Sequence, residues 1–161
     1  MKPAGDVSLR PIQLHDLDQL MAIEAVAYPF PWSRGNFIDS IVGGYRVCKR
    51  VDAEGQWLGY FVAMAGVDET HLLNLTVVPQ HQHQGHARAM LDELVRWSAE
   101  RAASRLWLEV RASNLRAQVL YRRYGFRDAG QRRGYYPAGP TGRENAIVMS
   151  FDIRWPSDAL E

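Results

Sequence analysis

The chain has 161 residues, 47% apolar and 23% charged, with 19 Lys+Arg against 18 Asp+Glu. At that length a folded domain buries roughly 68–70% of its unfolded surface, so composition excludes a disordered chain. A net charge of +1 and a pI of 7.9 exclude the basic excess with which nucleic-acid binders neutralise phosphates.

No stretch of 18 apolar residues occurs and the first residues lead into none of secretory length, so no membrane partner and a cytoplasmic location are expected. The one cysteine, Cys48, rules out an internal disulfide and reads as a small core filler between Val47 and Val51. Charge is unevenly divided. Residues 1–80 hold 6 basic and 9 acidic residues, and residues 81–161 hold 13 and 9, all 13 being arginine. Arginine's planar fork suits phosphate and carboxylate oxygens, which raises an anionic ligand for the second half.

In chain order, residues 7–12 read as a strand, and Leu17, Leu20 and Met21 predict an amphipathic helix to about Ala27. The prolines of Tyr28-Pro29-Phe30-Pro31-Trp32 enforce extended backbone, and Ser33 is an N-cap for a short helix with Phe37, Ile38 and Ile41. Strands follow near 45–51, 57–65 and 71–78. From Gly85 to Ala103 the residues Ala87, Met90, Leu91, Leu94, Val95 and Ala99 recur at helical spacing. Leu106, Leu108 and Val110 mark a strand, and Ala117, Leu120, Tyr121 and Tyr124 a helix that ends at Gly125. Strands near 127–135 and 146–153 complete an α/β (α+β) order, β α α β β β α β α β β. It fits a mixed sheet of about seven strands with helices on both faces and some parallel pairing in the second half. One domain over 1–153 is expected, with a frayed tail from 154 to 161.

The most informative segment is Leu75-Thr76-Val77-Val78-Pro79-Gln80-His81-Gln82-His83-Gln84-Gly85-His86-Ala87-Arg88. A strand runs through a short loop into the long helix, whose first N–H groups and dipole favour an anion, and Gly85 lets that anion approach the backbone. It is neither a dinucleotide fingerprint nor a P-loop. His81, His83 and His86 crowd the loop without an acidic or cysteine companion, so no metal is expected.

Gln82-x-x-Gly85-x-Ala87 resembles the coenzyme A pyrophosphate loop of the GCN5-related N-acetyltransferases. Three further segments resemble the bacterial RimI subfamily, over roughly residues 7–153. They are the 28–33 segment, Leu106-Trp107-Leu108-Glu109-Val110-Arg111-Ala112-Ser113-Asn114, and Tyr135-Tyr136-Pro137 with Gly142-Arg143-Glu144-Asn145-Ala146. Val78, Ala87 and Asn145 depart from the family's usual residues.

The resemblance implies a mostly antiparallel acetyltransferase fold with acetyl-CoA as co-substrate and no metal. It implies transfer to the N-terminal alanine of a small-subunit ribosomal protein, so the partner would be a basic protein N-terminus, and a monomer is expected. It also implies cofactor contacts from Leu75, Thr76 and Val77 through their backbones, from Gln82, His83, Gln84, Gly85, His86, Ala87 and Arg88, and from Asn114.

Glu109, between apolar neighbours on a strand, reads either as a solvent-facing carboxylate or as a general base whose pKa desolvation raises. Tyr121 lies on an apolar helical stripe and suits both a core place and, by the resemblance, protonation of the departing thiolate. Asn114 is equally an N-cap. Glu24 falls on an apolar face, where it needs an internal partner or a substrate cation. Trp32, Tyr136 and Glu144 are expected to line a peptide groove or to pack. An α-amine of pKa about 7.7–8.0 is roughly 200-fold more often neutral near pH 7.4 than a lysine, which suits a modest base. Acetylation of lysine or a small amine, and a non-catalytic acyl-CoA-binding module, are the alternatives. The paired Glu109 and Tyr121 argue against the last.

Overall fold

The computed structural model describes residues 6–140 and 142–153; the tail expected over 154–161 lies outside the described residues. The elements are β1 (Ser8–Pro11), α1 (Leu17–Ala27), α2 (Arg34–Val42), β2 (Arg46–Val51), β3 (Trp57–Ala65), β4 (Glu69–Val77), α3 (His86–Glu100), β5 (Arg105–Arg111), α4 (Leu115–Tyr124), β6 (Arg127–Pro137) and β7 (Arg143–Asp152). The order agrees with the sequence expectation. None of these helices is long and apolar enough to cross a membrane.

Local chemistry explains the helix ends. Tyr28 leaves α1 in an extended conformation, φ −133° and ψ 140°, as a residue before proline must. The Ser33 hydroxyl accepts the Asn36 N–H at 3.1 Å and caps α2, and Asn114 Oδ1 accepts the Ala117 N–H at 3.2 Å at the head of α4. Gly125 closes α4 at φ +125°, where a Cβ would also meet the Phe151 ring at 3.0 Å. Any other residue there is strained twice over. The long helix stops at Glu100, short of the expected 103, because Ala102 turns left-handed at φ +59° and the Ala103 N–H returns to Ser98 O.

The seven strands lie in the order β1-β2-β3-β4-β5-β7-β6. Pairs β1–β2, β2–β3, β5–β7 and β6–β7 are antiparallel. β4 and β5 are parallel, in register from Glu69↔Arg105 to Leu72↔Leu108. β4 then continues to Val77.

Two compact units make up the chain, residues 1–64 with 73–92 and residues 65–72 with 93–161. The first is built on Ile12, Leu17, Leu20, Phe37, Val47, Val51, Trp57, Tyr60 and Val62. Cys48 is buried there, and burial pushes its thiol pKa up, consistent with a core filler. The second unit buries Leu72, Leu106, Leu108, Val110, Phe126 and Met149, with Phe126 between the rings of Tyr121 and Phe151. Each such side chain contributes about 1.5–3 kcal/mol of burial.

Candidate active site

In the first unit the end of β4 leads into the loop. Backbone groups of successive strand residues point to opposite edges. The Val78 N–H is bonded to Leu58 O at 2.9 Å, and a Cβ on Gly59 would stand 2.5 Å from Thr76 O. Thr76 therefore faces β3, and Leu75 and Val77 turn theirs to the other edge. The Thr76 hydroxyl is buried and bonded to Asn74 Oδ1 at 2.7 Å and the Tyr28 hydroxyl at 2.8 Å. Tyr28 also donates to Leu75 O at 3.0 Å, and burial, reinforced by Glu24, pushes its pKa to about 12.

Beyond β4, Pro79–His81 forms a 3-10 turn. His83 and Gly85 are left-handed at φ +64° and +84°, and no atom lies within 4 Å of where a Gly85 Cβ would be. The Ala89 N–H on Gly85 O, 3.1 Å, closes the first turn of α3. The N–H groups of His86, Ala87 and Arg88 precede that bond and have no intrahelical acceptor. Open space over a left-handed glycine at a helix head fits a pyrophosphate.

A cation that sequence reasoning missed stands here. Arg50 of β2 donates through Nε to His86 Nδ1 at 3.1 Å, and His86 Nε2 lies 3.3 Å from Gln84 Oε1. Burial, then Arg50 and His81, lowers the His86 pKa, in keeping with an imidazole whose Nδ1 accepts from Arg50. Among the described residues no group of three or more His, Cys, Asp or Glu is arranged to hold a metal ion.

Glu24 is 1% exposed. Its carboxylate accepts from the Tyr60 hydroxyl at 2.5 Å, the Asn74 amide at 3.2 Å and the Trp32 backbone N–H at 2.9 Å. Burial, with Glu24 alongside, drives the Tyr60 pKa well above the phenol range. Of the two alternatives for Glu24 the structure shows the internal one: three internal donors bind it, and none is arginine. What it does is fix the loop bearing Trp32, whose ring packs 5.1 Å from Phe37.

In the second unit Glu109 is nearly buried, its side chain 8% exposed. Oε2 lies 2.5 Å from His71 Nε2 and Oε1 lies 3.3 Å from Arg132 Nε. The solvent-facing alternative therefore does not hold. Tyr121 is buried against Phe126, centroids 5.5 Å apart. Tyr136 has its pKa raised by burial and by the neighbouring Tyr135 and Glu109, which puts its ring in the electrostatic reach of Glu109.

Arg111 lies over the Tyr136 ring at 4.5 Å and reaches Glu144 Oε1 at 2.9 Å and Pro137 O at 2.7 Å. Ser113 adds its hydroxyl and its N–H to Glu144. Glu144 is thus held as an internal clasp between Arg111 and Ser113. Asn145, at one of the family departures, accepts the Gly134 N–H at 3.0 Å and holds a bend where Gly134 has φ +56°.

This order of strands and helices, with the parallel β4–β5 pair and a glycine-turned loop at the head of the long helix, is that of the N-acetyltransferase fold class. The profile of the acetyltransferase (GNAT) family matches residues 17–126, and the chain belongs to that family. It is 37% identical over 142 residues to the [ribosomal protein bS18]-alanine N-acetyltransferase of Escherichia coli K12, covering 88% of this chain and 95% of that one. The putative enzyme of the same name from Bacillus subtilis 168 is 29% identical over 147 residues, covering 91% and 95%.

Among solved structures, the ribosomal-protein-S18-alanine N-acetyltransferase from Escherichia coli superposes with a TM-score of 0.81 at 36% identity, covering 91% of this chain and 94% of that one. Arabidopsis thaliana NAA60 in complex with a bisubstrate analogue shares the fold at TM-score 0.81 and 22% identity, covering 92% and 98%.

Proposed function

We propose that the chain transfers the acetyl group of acetyl-CoA to the N-terminal α-amine of a protein, and that its acceptor is the alanine terminus of ribosomal protein bS18. The observation that carries this reading is the 37% identity over 88% of the chain to the Escherichia coli bS18-alanine enzyme. The buried carboxylate on β5 and the open glycine at the head of α3 are consistent with it.

When bound, acetyl-CoA supplies an activated thioester: the amine N–C bond forms as the C–S bond breaks. The N–H groups of residues 86–88, with Gly85 and Arg50, would hold the pyrophosphate. The backbone groups of Leu75 and Val77 beyond the last β4–β5 pair would take the pantetheine amides and the thioester oxygen. Glu109 would accept the proton of the incoming ammonium, and Tyr121 would give one to the departing thiolate. Asn114 stays a candidate cofactor contact through the part of its amide that does not cap α4. A soluble, cytoplasmic monomer acting on a basic protein tail completes the reading.

Thiol release from acetyl-CoA in the presence of an alanine-terminated peptide tests the assignment of the base. Glu109→Gln should slow turnover about 100-fold at neutral pH, within the range for loss of a general base, with acetyl-CoA affinity within twofold. Turnover equal to the wild type would remove Glu109 from the chemistry.

A further inference from the structure

Glu109 is held unevenly. Its Oε2 contact to His71 is 2.5 Å, whereas Oε1 meets Arg132 at 3.3 Å from a guanidinium side chain that is 56% exposed. A short charge-assisted bond dominates a long one to an exposed, entropically costly side chain.

His71 stands on firm backbone. Its register pair is Trp107, flanked by Thr70↔Leu106 and Leu72↔Leu108. Alternation sends Thr70 and Leu72 into the buried side and leaves His71 on the side shared by Trp107 and Glu109. The imidazole therefore sits within the paired stretch of the parallel β4–β5 ladder, its partner Trp107 two residues before the carboxylate it holds.

Arg132 gives this bond a consequence. A guanidinium released from geometric constraint takes a carboxylate by both oxygens, and a carboxylate so held is a poor proton acceptor. Fixing Oε2 on His71 prevents that fork from closing.

We propose that His71 is a positioning residue for acetyl transfer: its Nε2–H holds Glu109 through Oε2, keeps the Arg132 guanidinium from taking both oxygens, and leaves Oε1 to exchange its single 3.3 Å contact with Arg132 for the ammonium proton. The proposal rests on the reading of Glu109 as the base. Misplacing a reacting group by about 1 Å costs up to 100-fold, so His71→Ala should lower kcat at least tenfold, with the KM for acetyl-CoA within twofold. His71→Gln, whose amide N–H can reach the same oxygen, should return to within about threefold of the wild type. Adding Arg132→Gln to His71→Ala should recover part of the lost kcat, which a merely structural histidine would not allow.

A readout independent of turnover is the imidazole nitrogen spectrum of 15N-labelled protein without substrates, in which Glu109→Gln should move the His71 Nε2 signal. Wild-type kcat in His71→Ala, or equal losses in His71→Ala and His71→Gln at matched thermal stability, would overturn the proposal. An Nε2 signal indifferent to Glu109→Gln overturns the pairing itself. A wild type that acetylates no peptide overturns the acetyltransferase reading instead, and the nitrogen spectrum still decides whether His71 holds Glu109.

Discussion

Glu24 shows how far a single position can be read from sequence. Its place on the apolar face of α1 signalled a buried carboxylate in need of a partner, but the partners are 8, 36 and 50 residues away, and nothing local marks Trp32 N–H, Tyr60 or Asn74 as donors. Truncation to Glu24→Ala removes the carboxylate that three donors share, the Tyr60 hydroxyl and Asn74 amide in buried bonds and the Trp32 N–H in a partly buried one. At about 1–3 kcal/mol each, the variant should lose about 3 kcal/mol or more in urea denaturation, and a loss under about 1 kcal/mol would contradict the network. His71 was missed for the same reason. It reads as one polar residue on a strand, and only the parallel register, with Trp107 opposite, brings it to Glu109. Tyr121 and Asn114 were legible in both their structural parts, the core ring and the helix cap, because those depend on helical periodicity and on chemistry within three residues.

At the scale of elements, the strands and helices with strong periodicity were found nearly to the residue, β3 and α1 among them. The β6–β7 hairpin was cut short: strands were expected near 127–135 and 146–153, yet β6 runs to Pro137 and β7 begins at Arg143, pairing Tyr136 with Glu144. Pairing across the hairpin carries both strands beyond the ends that local residue pattern marks. Arg111 and Ser113 of the β5 end clasp Glu144 of β7, and the Arg111 hydrogen bond, then Ser113, holds the Glu144 pKa below its ordinary value of 4.5. A carboxyl depressed in the folded state contributes stability that is present above about pH 4.5 and lost as pH falls through the folded pKa. Acid unfolding of Glu144→Gln should therefore show a shallower loss of stability below pH 4.5 than the wild type. An unchanged acid slope would mean that the clasp contributes nothing.

For the whole molecule, the division of charge by sequence halves proved a poor guide to where charge sits. Of the twelve arginines among the described residues after position 81, Arg88 belongs to the unit that contains the glycine-turned loop and the other eleven fall in the unit with Glu109. The cation found at the loop, Arg50, comes from the half that counted as acidic. Glu24 and Glu144, the carboxylates considered for meeting a basic peptide, both have their hydrogen bonds filled from within the chain. Family membership follows from the fold and from residues 17–126, and the central claim beyond it concerns which amine is acetylated. Mass spectrometry after incubation with acetyl-CoA and a peptide having the bS18 N-terminal alanine and internal lysines tests that claim most directly. The account predicts a single acetyl group on the α-amine; acetyl confined to lysine side chains, with the alanine left free, would contradict it.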